Sequence, residues 1–332
     1  MSIVKNQHFV PQCYLRKFGD SNEKVNVFDK SKNEIRFNQP INNIASQRFF
    51  YDIDFEEINK VIEDKGIQIP EDIKNDVLNI DKQHLEKWFS NVVEPLLIKI
   101  INNIESTYNL VNDDKLYEIE VINNKMKSEL LFLLSVQIMR TMEFREAFVN
   151  QTPNMLLKVI KKLECGNGLD FEDLELEYRK EVKPLLHAKL ILDDDMNKTI
   201  MESLSRHIWY IGVNLTKMPL YTSDNPIVKC PHKFEDGKSH SGLASEGIEI
   251  IYPITSRLAL IMREREYHEQ YSLFENKFKK LTINDIIIYN SLQVEQSYRT
   301  VFSLDKEFTI PKRLCNYDES IMDINKSRIN VY

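Results

Sequence analysis

Apolar positions change period along this chain. Residues 8–55 hold short alternating runs: Val25, Val27 and Phe28, a turn-like Asp29-Lys30-Ser31-Lys32-Asn33, then Ile35 and Phe37. That pattern predicts a β-hairpin in a small β-rich N-terminal unit. From Asp81 the spacing becomes helical, with Leu85, Trp88, Phe89, Val92, Leu96 and Ile100 on one stripe. Asp81 is placed to cap that helix, and Pro95 to kink or break it, because proline cannot donate the N–H that a helix interior needs. Helical spacing returns over 117–149, 154–163, 171–182 and 196–214, so 81–215 reads as a large helical middle. After Met218 the runs 220–222, 227–230, 248–252 and 258–262 predict a sheet. A helix from Ile283 to about Tyr298, capped by Thr282, a strand over 300–304 and a polar tail over 305–332 complete the reading. The expected fold is α+β: a small N-terminal β unit, a helical middle, and a mostly antiparallel C-terminal sheet with a helix. With no repeat or low-complexity linker, 1–304 is expected to be a single composite domain (units 8–55, 81–215 and 219–304).

Composition narrows the function classes. The chain has 332 residues, 42% of them apolar and 10% aromatic, enough to fill a substantial core. Its 51 acidic against 44 basic residues give no chain-wide attraction to nucleic acid or anionic membrane. The four cysteines are scattered without a CxxC pair, which argues against a disulfide framework and a zinc ribbon. No signal-peptide pattern opens the chain, and the longest apolar run, 130–139, is interrupted by Ser135 and Gln137. The expectation is a cytoplasmic protein with no membrane association. Phosphate-cradling glycine loops, nucleophile elbows and HExxH helices are all missing from the sequence, which sets aside common nucleotide hydrolases, α/β-hydrolases and zincins.

Three segments carry the informative polar residues. Gln137 and Arg140 stand three apart in the apolar stretch 130–142 and so share a helix face. A buried guanidinium is costly without acceptors, so Arg140 needs a partner, and Asp224 and Glu94 are the candidates. Arg145, five residues on, reads as a surface group. Tyr221-Thr222-Ser223-Asp224-Asn225-Pro226 presents a carboxylate and an amide at a strand end, and equally describes an Asx turn. His8-Phe9-Val10-Pro11-Gln12 offers an imidazole that titrates near neutrality. His207 falls on a stripe with Ile200, Leu204, Ile208 and Ile211 and reads as a core histidine on a helix. Cys230, His232 and His240 have donors but no complete ligand spacing, so no metal is expected there. The glycine-bearing 231–247 segment closely follows Asp224 and could cover a site.

Together these segments resemble a bacterial family known as domain of unknown function 4238. The resemblance is carried by His8-x-Val10-Pro11-Gln12-x-Tyr14-Leu15-x-x-Phe18, Asp29-Lys30, Phe50-Tyr51, Glu94, Gln137-x-x-Arg140-Thr141 and Thr222-Ser223-Asp224-Asn225-Pro226, and covers about 7–303. It implies a site where these segments meet and names no reaction or cofactor. The leading expectation is a hydrolase cleaving a phosphate-containing substrate, a nucleic acid or nucleotide, in a toxin or phage-defence role known only by family-level analogy. In it, His8, Arg140 and Asp224 are catalytic, and Gln12, Gln137, Ser223 and Asn225 hold the substrate. Two alternatives stand beside it: a non-catalytic module binding a small ligand, and a structural protein in which Arg140 and Asp224 form a buried staple.

Overall fold

The structure, a computed structural model, describes residues 4–53, 82–148, 183–235 and 238–324. The N-terminal unit contains β1 (Asn6–His8), α1 (Gln12–Leu15), the hairpin β2 (Lys24–Asp29) and β3 (Glu34–Pro40), and β4 (Ser46–Arg48), which pairs with β1. The hairpin turn is the expected one, with Asn33 at φ 51° taking the left-handed conformation that asparagine tolerates. The helical middle has α2 (His84–Trp88), α3 (Glu94–Asn109), α4 (Asn124–Met139), α5 (Lys183–Ile191) and α6 (Asp194–Ser205). The break expected at Pro95 takes the form of one π-helical turn, Phe89–Val93, between α2 and α3. Asp81 and the helices expected over 154–163 and 171–182 lie outside the described residues.

Then come β5 (Ile208–Val213), β6 (Thr222–Ser223), β7 (Val228–Pro231), the small hairpin β8 (Phe234–Glu235) and β9 (Lys238–Ser239), β10 (Ile248–Pro253), β11 (Leu258–Arg263), β12 (Phe278–Lys280), α7 (Ile283–Gln296), β13 (Thr300–Ser303) and α8 (Thr309–Tyr317). Five strands form one sheet in the order β12-β5-β11-β10-β7, antiparallel except for β12 beside β5. Side-chain alternation splits its core in two. Trp209, Ile211, Leu260, Met262 and Ile250 face the helical middle, while Tyr210, Ala259, Ile261 and Ile251 face Ile286 and Tyr289 of α7. A second sheet, β3-β2-β13-β6, joins the first hairpin to the last strand. Both α-helices and sheets are thus present in the expected arrangement, and no helix among the described residues is long and apolar enough to cross a membrane.

Four sequence expectations need correction. The helix expected over 117–149 is α4 followed, after a break at Arg140–Thr141, by a helical turn over 142–148, with a 3-10 segment before it. The helix expected over 196–214 ends at Ser205, and 208–213 is β5. Ile208-Trp209-Tyr210-Ile211 is β-branched and aromatic, and in a strand buried on both faces that preference prevails over helical spacing. His207 accordingly sits buried in the turn between α6 and β5, not on a helix. The segment after 304 is not simply a polar tail: α8 and Phe308 pack Cys315 against Phe28, Tyr221 and Val301. The capping of α7 by Thr282 is as expected, completed by Asp285 in a reciprocal capping box.

Candidate functional site

The C-terminal end of α4 grips the start of the chain. Gln137 Nε2 donates to the Phe9 carbonyl (3.3 Å) and Arg140 Nη2 to the His8 carbonyl (2.6 Å). Their three-residue spacing thus matches two consecutive carbonyls of one extended segment. Arg140 is 1% exposed. Its carboxylate partner is Glu94, in the first turn of α3, at 3.3 Å, and its guanidinium lies 4.1 Å from the centre of the Phe89 ring. Tyr51 completes the grip by donating to the Arg140 carbonyl (2.7 Å). Arg145 is buried rather than exposed: it stacks on Phe50 at 3.6 Å, donates through Nε to His187 Nδ1 (3.0 Å) and reaches the Phe50 carbonyl. Arg145 thus rests on Phe50-Tyr51, while Arg140 rests on Phe89.

Arg140 is not saturated. Nε and Nη1, with three of its five N–H groups, are buried without an acceptor. Burial works against the cation, but Tyr51, Glu94 and Glu86 outweigh it and hold its pKa above the ordinary value. Other buried polar atoms without partners adjoin it: His8 Nε2, Glu86 Oε2 and the Tyr252 hydroxyl. Burial, and then the charge of Arg140, lower the His8 pKa to about 4, so the ring is neutral at pH 7. Gln12 Nε2 is 3.4 Å from His8 Nδ1, and a backbone hydrogen bond to Asn42 opposes the fall in the ring's pKa. Glu86 behaves differently, because burial raises its pKa to about 7 despite Arg140 nearby, with Glu94 and Asp52 adding to the rise.

Asp224 does not join this cluster. Its carboxylate accepts from the backbone N–H groups of Tyr298 (2.8 Å), Arg299 (2.8 Å) and Thr300 (2.7 Å) and from the Thr300 hydroxyl (3.0 Å). The wager that Arg140 meets Asp224 beside His8 is thus corrected, and Glu94 takes the place of Asp224. Four donors hold a carboxylate with few lone pairs left for chemistry. Burial raises its pKa, opposed by the Thr300 bonds and the charge of Lys30. Asp29-Lys30 serves the same corner: Asp29 pairs with Arg299 (2.7 Å), and Lys30 Nζ bonds the carbonyls of Val294 and Ser297 at the end of α7. Ser223 donates to Gln293 Oε1 (2.7 Å), and Asn225 Nδ2 to the Gln296 carbonyl (2.8 Å). The segments meet where Tyr14 and Thr222 share a 2.7 Å hydroxyl contact, and Thr141 and Asn225 line one cavity.

Sequence reasoning thus placed His8, Gln12, Gln137 and Arg140 together, with Phe50-Tyr51 among the motifs expected to meet there; it set Ser223, Asp224 and Asn225 with them, which hydrogen-bond elsewhere, and missed Glu86 and Tyr252. Glu86 carries no sequence signal, since a glutamate in a short amphipathic helix normally faces water. Elsewhere, Cys230, His232 and Glu249 bring metal-type donors within 4.8 Å of one another, and His240 is not among them. Glu249 sits directly across from Cys230 in the β7–β10 pairing, a partner that sequence spacing could not supply. Its carboxylate is already bonded to His232 (2.8 Å), Arg263 (2.7 Å) and Tyr289 (2.6 Å).

An α+β chain with an arginine-centred polar cluster between its N-terminal unit and its helical middle is the class that this geometry defines. The chain belongs to the family described as protein of unknown function (DUF4238), whose model matches residues 6–307. No curated protein and no solved structure matches it.

Proposed function

We propose that the Arg140 cluster is a site for an anionic, phosphate-containing substrate, and that the protein is a hydrolase acting on a nucleotide or nucleic acid. The supporting observation is the set of buried N–H groups of Arg140 without acceptors, with one titrating acid, Glu86, within reach of its charge. Arg140 Nε and Nη1 offer hydrogen bonds that an oxyanion would accept, His8 Nε2 and the Tyr252 hydroxyl are likewise buried without partners, and Glu86 has its pKa near neutrality. Arg140 binds the anionic oxygens of the phosphoryl group and stabilises charge as it grows there. Ionised Glu86 takes a proton from water as the water oxygen bonds to phosphorus. The bond to the leaving oxygen breaks, and protonated Glu86 returns the proton to it. Gln12 and Gln137 keep the His8–Phe9 segment in register, while Asp224, Ser223 and Asn225 hold the α7–β13 corner. Such an activity suits a toxin or phage-defence role.

The test is incubation of purified protein with a nucleotide panel, RNA and DNA, comparing wild type with Glu86→Gln and His8→Ala. Turnover that falls at least about a hundredfold in Glu86→Gln, with no loss of melting temperature, supports the reading. No turnover of any of these by wild type overturns it. A second reading, a non-catalytic binding module, is favoured by the near-complete burial of Arg140, which suits a small enclosed ligand. It expects a nucleotide that raises the melting temperature, is recovered intact and loses its effect in Arg140→Met.

A further inference from the structure

A cavity that Arg140, His8 and Glu86 do not line opens between the helical middle, where Ile138 and Thr141 border it, and the edge strand β7, under residues 241–243. Its volume is about 290 Å³. Phe144, Met196, Ile200 and Leu243 make an apolar wall, and Lys229 and Asn225 supply polar lining. Lys229 is committed only through its backbone: its N–H donates to Gln296 Oε1 (2.9 Å) and its carbonyl accepts from Gln296 Nε2 (2.6 Å). Among the described residues its ammonium meets no acceptor. Burial lowers its pKa. The register explains the placement. Lys229 pairs with Ile250, whose side chain faces the helical middle, whereas Cys230 pairs with Glu249 on the α7 side.

We propose that this cavity binds a small amphipathic monocarboxylate, its acidic group on Lys229 and its hydrocarbon part against Phe144, Met196 and Ile200. Three features select that chemistry. A half-buried ammonium that meets no acceptor among the described residues takes an anion. Glu143 lines the same cavity, so a doubly charged phosphate costs more there than a single carboxylate. A volume of about 290 Å³ accommodates about ten non-hydrogen atoms at the roughly 30 Å³ that one water occupies in the liquid. The apolar wall then rewards each methylene up to that length and none beyond it. Gln296 ties β7 to the last residue of α7, so occupancy is coupled to the corner that Asp224 and Lys30 hold.

The experiment is calorimetric titration of the whole chain with straight-chain carboxylates from acetate to dodecanoate, with hexanamide and inorganic phosphate as controls. Affinity is expected to rise with chain length, peak near eight carbons, and be at least about tenfold weaker for hexanamide than for hexanoate, the loss of one charge-assisted hydrogen bond. Lys229→Met is expected to abolish the hexanoate–hexanamide difference. Should that variant fail to fold, Ile200→Trp, which fills the apolar end, is expected to block octanoate while leaving acetate binding unchanged. Absence of carboxylate binding, affinity independent of the head group, or equal binding by Lys229→Met overturns the proposal. None of these outcomes depends on activity at the Arg140 cluster.

Discussion

Two buried charges stand in the two most distinctive segments of this chain, and their surroundings differ in kind. Asp224 is fully engaged, with three backbone N–H groups and a hydroxyl on its two oxygens. Arg140, at 1% exposure, has one carbonyl and one carboxylate and leaves Nε and Nη1 unbonded. A saturated buried charge fixes a shape. An unsaturated one pays desolvation without full return and leaves donors that a water or a ligand can satisfy.

The comparison breaks most visibly at Asp224. Asp224→Ala strands three N–H groups in the core and is expected to cost about 3–5 kcal/mol in denaturant unfolding, with turnover per folded molecule unchanged. A cost below about 1 kcal/mol would return Asp224 to the list of site residues. Glu86→Gln should do the reverse. With a folded pKa of about 7 against 4.5 unfolded, Glu86 contributes stability below pH 4.5 that is lost as pH rises to 7. Glu86→Gln is therefore expected to gain up to about 3 kcal/mol at pH 8 while losing activity, read from urea midpoints at pH 5 and 8. Arg140→Met comes next, at about 1–3 kcal/mol, because Glu94 is partly exposed and can rehydrate. The smallest effect sharpens the contrast at the sheet edge. The pKa of His232 is raised to about 9 by Cys230 and Glu249, so its contribution is complete below pH 6.5 and disappears as pH rises through 9. Because the ring is about a third exposed, the loss is expected to stay below about 1 kcal/mol, and His232→Gln should flatten it.

Much of the fold was legible where local chemistry and tertiary demand agree. Thr282 announced α7, Asn33 the first hairpin turn, and continuous apolar runs β10 and β11. It was illegible where they conflict: Ile208 and Ile211 fit a helical stripe and are used in a strand. In the candidate site, the demand that Arg140 find a carboxylate was readable from its apolar helix, but the choice between Glu94 and Asp224 was not. Both are ordinary acids far along the chain, and only packing decides which approaches. Glu86 and Lys229 were invisible for the same reason, since their character comes from burial that their neighbours in sequence do not reveal.

The pairing of β2 with β13 sets the order of events during synthesis. Asp29 and its partner Arg299 are 270 residues apart. At roughly 5–20 residues per second a ribosome needs about 15–55 s to deliver the second after the first. For that interval the hairpin made earliest presents an unpaired strand edge to the cell. Holding it unstuck until its last neighbour emerges is a natural task for a chaperone.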